Sequence, residues 1–414
     1  MADIVSVSNL TPAEVSSLLE TDGKGKPLRT IDNFLTVMVR DRMYAGVHFN
    51  QMTNRPEIHG ATADSISEWT DTDSAESERY IQTAYQLHHS EMHGKALRIL
   101  FRRREYNPLL NLVESFAWDG MPRVECFLST VLRADDSSYS REVSRLIFAG
   151  GINRLYSPGC KFDCVPVLIG KQGAGKTSVI SWLALNDNYY TTTNNLTGDQ
   201  RAIEALSGAW IVEIPELAAF RSADMESLKA FVTLKADRYR LPFDRNTSTL
   251  PRRCIFIGST NSRQFLTDKT GNRRFFPVVV RSDGYELLRD EKEIREYICQ
   301  CWAEARERYK AGKLSPFPDP ELLQDYQNQQ QAAMEEDWRI GVIQDYVNYL
   351  SKEHLICSKE IFDRALYPDG NRIPSKRELI EISQILDQLP ELEKLEQRRY
   401  TANYGQQRVW KLQS

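Results

Sequence analysis

Four short apolar runs stand out in the middle of the chain, at residues 165–169, 210–214, 254–259 and 275–280. Runs this short and this apolar read as strands buried on both faces, the pattern of a parallel sheet. Helical periodicity between them predicts helices over 177–185 and 225–234. Strands alternating with helices predict an α/β domain with a largely parallel sheet. Ahead of it, helical patterning dominates from about residue 30 to 132, with one strand pair expected at 44–59. The acidic, Ser/Thr-rich stretch 68–77 is either a helix start or a loop. Residues 1–20 read as a loose lead-in and 22–26 as a polar break. A further helix group covers 137–156 and closes at Pro158-Gly159.

Beyond residue 311, a Pro-containing linker (314–320) leads into a Gln-rich helix (322–333). Residues 338–414 carry the helix pattern of a small independent domain, ending in two short strands around Tyr404-Gly405. Helices followed by a terminal hairpin suggest a winged helix. The expected organisation is a helical N-terminal domain (1–135), an α/β domain (136–312), a linker helix (313–337) and a winged-helix-like domain (338–414). No internal repeat is present.

The length of 414 residues fits two or three domains. A hydrophobic fraction of 41% and a charged fraction of 27% are those of a globular chain rather than a disordered one. No run is long and apolar enough for a membrane helix, and residues 1–10 lack the basic and apolar parts of a signal peptide. Seven cysteines with irregular spacing exclude a secreted disulfide framework and fit a reducing cytosol. The pairs Cys160/Cys164 and Cys299/Cys301 have no His or Cys partners to complete a zinc site. Net charge is −4, but residues 235–274 hold ten Lys/Arg against three Asp, a local net of +7.

The strongest motif is Gly170-Lys171-Gln172-Gly173-Ala174-Gly175-Lys176-Thr177, followed by Ser178, set between an apolar strand and a helix. It matches the phosphate-loop pattern completely. Glycines let backbone N–H groups turn inward around phosphate oxygens, and the helix N-terminus adds favourable partial charge. Lys176 is expected to reach the β- and γ-phosphates of ATP, and the Thr177 hydroxyl to ligate Mg²⁺. The residues expected to contact the nucleotide are Gly170 and Gln172 to Ser178.

Such a loop needs a carboxylate on a neighbouring strand for the metal and a base for the attacking water. Glu213, in the apolar run 210–214, is assigned to the metal. Glu216, just past Pro215, is assigned to the water. Asn261 lies just past the strand at 254–259, where a polar side chain senses the γ-phosphate. Arg273 and Arg274 directly precede the strand at 275–280, and either suits an arginine finger supplied to a neighbouring subunit. Between Glu216 and Asn261, the alternation Tyr239, Leu241, Phe243 reads as one arm of a hairpin. It carries Arg238, Arg240, Arg245, Arg252 and Arg253. Arginines beside an aromatic suit a phosphate backbone and stacked bases, so Arg238, Tyr239, Arg240 and Arg245 are the candidate DNA contacts. A second basic cluster, Arg98 with Arg102-Arg103-Arg104, reads equally well as a solvated helix face.

The runs Tyr106-Asn107-Pro108, Trp118-Asp119-Gly120 and 158–163, then the phosphate loop, then 210–217, resemble the virulence-associated E family over about residues 95 to 280. These are P-loop proteins of phages and integrated mobile elements. Their domain is similar to superfamily 3 helicases, which form rings, usually hexamers, around DNA. The resemblance implies an AAA+/superfamily 3-like core. The expected roles are metal for Thr177 and Glu213, catalysis for Lys176 and Glu216, sensor for Asn261 and finger for Arg273 or Arg274. It departs from the usual acidic motif in that Glu213 and Glu216 are not adjacent. Larger relatives carry a primase domain ahead of the ATPase. Residues 1–95 hold no polymerase carboxylate set, and Asp71 and Asp73 read as solvated. The implied function is an ATP-dependent DNA helicase or translocase in the cytoplasm of a bacterial host. ATP and Mg²⁺ would lie between subunits, single-stranded DNA in the ring channel, and duplex DNA at the C-terminal domain. Two other readings stand beside it: an ATP-controlled switch without motor activity, and a DNA-binding replication initiator or loader.

Overall fold

A computed structural model of the chain describes residues 10–60, 65–194, 200–220, 222–239, 248–266, 271–281, 290–334, 338–351, 353–370, 372–387, 389–401 and 403–412. The chain forms two compact units, Met1–Met334 and Glu335–Ser414.

The first unit begins with α1 (Pro12–Ser16) and α2 (Ile31–Arg40), then strands β1 (Val47–Asn50), β2 (Arg55–His59) and β3 (Ile66–Glu68). Helices α3 (Asp71–Tyr85) and α4 (Ser90–Arg103) precede β4 (Glu105–Tyr106). The expected strand pair is present as β1–β2, but it belongs to a four-stranded sheet of order β3-β2-β1-β4. The N-terminal region is therefore α+β, not helical. Its outer strands have three and two residues, and β3 is exposed throughout, so neither leaves a periodic trace in the sequence. The lead-in also holds a short helix, α1, whose cap Thr11 donates both its N–H and its hydroxyl to the Glu14 carboxylate. The acidic stretch is a helix start. Thr70 accepts from the Asp73 N–H, and the Asp73 carboxylate takes the Thr70 N–H at 2.7 Å. Asp71 and Asp73 thus sit at the positive end of the α3 dipole, which accounts for their spacing.

The chain continues through α5 (Pro108–Ser115), α6 (Phe127–Leu132), α7 (Ser138–Tyr156), β5 (Val165–Ile169), α8 (Lys176–Leu183) and β6 (Tyr190–Thr192). Then come α9 (Gln200–Ala205), β7 (Ile211–Ile214), α10 (Ser222–Val232), β8 (Ala236–Tyr239), β9 (Ser248–Pro251), β10 (Ile255–Thr260) and β11 (Phe275–Val279). Helices α11 (Glu291–Lys310) and α12 (Leu323–Ala332) close the unit. The central sheet has the order β11-β5-β10-β7-β6 with every pairing parallel. Its strands are apolar without interruption because both faces are covered. Leu168, Ile211, Ile257 and Phe276 join one core with α6, α7, α8 and α11. Val167, Val212, Phe256 and Phe275 join a second core with α10. The first core also takes in Leu109, Val113, Val124 and Phe127. Residues 109–134, grouped by pattern with the N-terminal helices, therefore pack with the sheet. At its centre the rings of Trp210 and Trp302 lie 4.2 Å apart, and their indole N–H groups donate to the carbonyls of Gly151 and Leu183.

The basic hairpin forms as β8–β9, with Arg238 paired to Thr249. Arg252, one of the arginines that the sequence places on this hairpin, is buried. Its guanidinium grips Asp237 through two hydrogen bonds of 3.0 and 2.6 Å, donates to the Phe231 carbonyl and stacks on the Phe231 ring. The Arg252 carbonyl in turn accepts from Gly159 N–H and from the buried Arg154. A basic residue one position from a strand end looks the same in sequence whether it faces solvent or anchors the turn.

The second unit contains α13 (Trp338–Asn348), β12 (Leu355–Ile356), a helical stretch from Ser358 that becomes a π-helix over Ile361–Leu366, and α14 (Lys376–Leu386). Strands β13 (Leu392–Lys394), β14 (Arg399–Thr401), β15 (Gly405–Gln407) and β16 (Trp410–Leu412) follow. The expected terminal hairpin is β14–β15, and a small antiparallel sheet has the order β12-β16-β13. Trp410 is core, its indole donating to Asp387.

Removing one partner of the Arg252–Asp237 pair leaves the other as a buried uncompensated charge. We expect Arg252→Ala and Asp237→Asn each to lower stability by about 3–5 kcal/mol in urea denaturation, with the double variant Arg252→Met/Asp237→Leu recovering much of the loss.

Candidate nucleotide site

The phosphate-loop motif spans the turn from β5 to α8. Gly173 and Gly175 hold φ of +82° and +75°, a left-handed backbone that side chains with a Cβ rarely adopt. The loop is tied to the sheet where Gly170 N–H donates to the Thr260 carbonyl. The order β5-β10-β7 sets the phosphate loop, the Ser259–Asn261 corner and the Glu213 strand side by side at the carboxyl ends of three parallel strands.

Glu213 is fully buried, with 0% of its surface exposed. Three hydroxyls compensate it. Thr177 donates to Oε1 at 2.9 Å, Ser259 to Oε1 at 2.6 Å, and Tyr190 to Oε2 at 2.5 Å. Lys176 is nearly buried, and its amine donates to the carbonyls of Gly170 (2.7 Å) and Lys171 (3.0 Å) and to Asn261 Oδ1 (3.1 Å). Burial pulls the Lys176 pKa below its ordinary value, while the carboxylates of Glu216 and Glu213 pull it back up. Burial, with the bond to Glu213 behind it, pushes the Tyr190 phenol far above its usual range.

Lys176, Thr177, Glu213 and Asn261 are thus brought into one cluster by residues 85 positions apart at the extreme. Glu216 stands exposed on the turn leaving β7 with φ +51°, a strained conformation for a non-glycine residue. Arg273 and Arg274 share a 3-10 turn before β11. Arg274 points back to its own chain, donating to the Gly271 carbonyl and lying 3.8 Å from Asp163, whereas Arg273 is exposed. Of the hairpin residues, Arg238 is exposed on β8. Tyr239 lies on the same strand, and Arg240 and Arg245 lie outside the described residues.

Sequence reasoning missed Tyr190 and Ser259. Ser259 ends an apolar strand in a position any small residue could fill. Tyr190 starts β6, a strand of three residues in polar surroundings. The only available signal was that the buried Glu213 strand needed a neighbour on its far side.

Among the described residues, no group of three His, Cys, Asp or Glu side chains is arranged to hold a metal, and no helix is long and apolar enough to cross a membrane. All seven cysteines are free thiols.

The family model for the virulence-associated protein E-like domain matches residues 113–336, more than half of the chain. No curated protein matches it. A solved apo structure of the NrS-1 C terminal region (305-718) aligns with 89% of this chain and 96% of its own at 14% identity, with a TM-score of 0.46. An A form apo structure of the same region aligns with the same coverage at 13% identity and a TM-score of 0.44. These alignments carry neither residue roles nor activity to this chain.

Tyr190→Phe removes one hydroxyl from a buried carboxylate and nothing else. It is expected to cost about 2 kcal/mol in urea denaturation, the scale of a hydrogen bond to a charged group. A change within error would show that Glu213 does not depend on that phenol.

Proposed function

The chain belongs to the virulence-associated protein E-like domain family, and from that premise we propose that it is an ATP-dependent DNA helicase or translocase serving replication of a phage or mobile genetic element. The observation that carries this reading is the cluster of Lys176, Thr177, Glu213 and Asn261 at the ends of three adjacent parallel strands. A strand bearing a polar corner between the phosphate-loop strand and the acidic strand supports an AAA+/superfamily 3-like core. The second unit, with its helices, small sheet and hairpin, supports a winged-helix-like domain.

The residues fit MgATP. Nothing lies within 4 Å of a Cβ built on Gly173, so the loop has room for phosphate. One hydroxyl and one carboxylate are hard oxygen donors, too few to cage a cation alone and suited to one that also binds substrate phosphates. Mg²⁺, when bound, supplies charge neutralisation on the β- and γ-phosphates. Lys176 holds the phosphates as a point charge, and the loop N–H groups of residues 172–178 orient them. Thr177 and Glu213 hold the cation side of the site, with Ser259 and Tyr190 fixing the carboxylate. Glu216 positions the attacking water and Asn261 senses the γ-phosphate. Arg273 acts as the finger in a neighbouring subunit of a ring, the hexamer being the assembly this class favours. Arg274 is held by its own chain, which supports that choice. Arg238, Tyr239, Arg240 and Arg245 contact single-stranded DNA from the hairpin. The exposed Arg398, Arg399 and Arg408 around β14–β15 support duplex contact by the second unit and keep the replication-initiator reading open. Action in the bacterial cytoplasm follows from the same premise.

The test is the ATPase rate with and without single-stranded DNA. Lys176→Ala is expected to lose at least about a hundredfold in kcat, the scale of removing a preorganised charge-stabilising donor. Arg240→Ala is expected to keep basal hydrolysis and lose its stimulation by DNA. Hydrolysis indifferent to DNA in the native chain would overturn the motor and leave the ATP-controlled switch.

Arg273→Ala is expected to be inactive alone, since a finger contributes about a thousandfold or more. Mixing it with Lys176→Ala is expected to restore part of the rate, because each variant supplies what the other lacks across a shared interface. No recovery on mixing would place the finger elsewhere.

A further inference from the structure

The structure sorts the basic cluster at the end of α4 into two kinds of arginine. Arg104 is buried and structural, its guanidinium donating to the carbonyls of Tyr44, Val47 and Val39. Arg98, Arg102 and Arg103 are exposed. With Lys95, Ile31 and Ile99 they line an open groove of about 680 Å³ between α4 and the start of α2. Lys95, Arg98 and Arg102 follow at i, i+3 and i+7, so they form one stripe along the helix, and Arg103 flanks it.

Exposed cations on other helices of this unit, such as Arg79, Arg141 and Lys310, are matched by a carboxylate, and here the match is incomplete. Lys95 pairs with Glu91 and Arg102 with Glu105, both at the surface where such pairs are weak and exchangeable. Arg98 and Arg103 meet no carboxylate among the described residues. Arg102 and Arg103 lie in the last helical turn, where cations complement the helix dipole. Arg98 lies more than a turn further in, where the dipole gives it no such reason. The chain carries a net charge of −4, so this concentration of cations is local rather than a general property.

We propose that the α4 groove binds the sugar–phosphate backbone of DNA, a contact separate from the hairpin and outside the segment matched by the family model. Guanidinium groups supply the phosphate contacts, while Ile31 and Ile99 give the sugars an apolar floor. The stripe has the charge and length for two or three phosphates. It needs no nucleotide, so it is independent of the hydrolysis reading.

The experiment uses the full chain without nucleotide. It measures fluorescence anisotropy of a short labelled single strand and of the matching duplex across a range of salt. All proteins carry Arg240→Ala so that the hairpin does not dominate. Arg98→Glu/Arg103→Glu is expected to weaken binding at least tenfold and to lower the slope of log K against log salt by about two, one unit per lost phosphate contact. Arg98→Lys/Arg103→Lys is expected to bind nearly as the Arg240→Ala parent, and both double variants to keep its melting temperature and its basal ATPase rate without DNA. Loss for the duplex alone or the single strand alone identifies which form occupies the groove, and either supports it. Unchanged affinity and salt slope for both DNAs would overturn the proposal, as would a parent that binds neither. Neither result depends on whether ATP is hydrolysed, so failure here is distinguishable from failure of the motor.

Discussion

A charge placed where water cannot reach it dictates much of this architecture. Glu213 is completely buried in the middle of a parallel sheet. An unpaired carboxylate there would cost several kcal/mol. It is tolerated because three hydroxyls from three separate elements converge on it: Thr177 from α8, Ser259 from β10 and Tyr190 from β6. Satisfying one acid therefore fixes the spacing of the phosphate loop, the central strand and the edge strand together. The same arrangement leaves little freedom for substitution, since each hydroxyl is matched to one oxygen of a single group.

The packing on either side of the sheet explains why that site can be rigid. Each central strand sends alternate residues to two different cores, so the strands are held from both faces. The Trp210–Trp302 contact ties the Glu213 strand to α11, the Trp210 N–H bond to Gly151 ties that strand to α7, and the Trp302 N–H bond to Leu183 ties α11 to α8. A cluster of polar side chains at the end of such strands inherits their precision, which loops alone could not supply.

The chemistry-bearing parts of the sequence were legible to different depths. The turn at 170–177 was readable because spaced glycines sit between an apolar strand and a helix, and Gly173 and Gly175 take the left-handed backbone that glycine favours. The four central strands were readable because burial on both faces leaves an unbroken apolar run. The N-terminal sheet was not, because its strands are two to five residues long and half-exposed. Tyr190 was invisible for a related reason: its partner is 23 residues away, and only the sheet brings them together. Arginines were the hardest to read. Arg104, Arg154 and Arg252 are buried hubs for backbone carbonyls, while Arg98, Arg238 and Arg273 face solvent. Nothing in their immediate sequence separates the two groups, because an arginine can spend its five donors on a fold as readily as on a ligand.

That ambiguity has a constructive side at the hairpin. The strand carrying Glu213 leads through Glu216 and the buried Leu217 into α10, whose Phe231 carbonyl accepts from Arg252 at the hairpin base. Leu217 lies against Gly258 of β10, where a Cβ would meet its side chain at 2.3 Å. The chain leaving the buried acid is therefore held against β10 at Leu217, and the first hairpin strand is pinned by the Arg252–Asp237 pair. Arg252, one of the arginines that the sequence places on the hairpin, holds the base of its first strand in place.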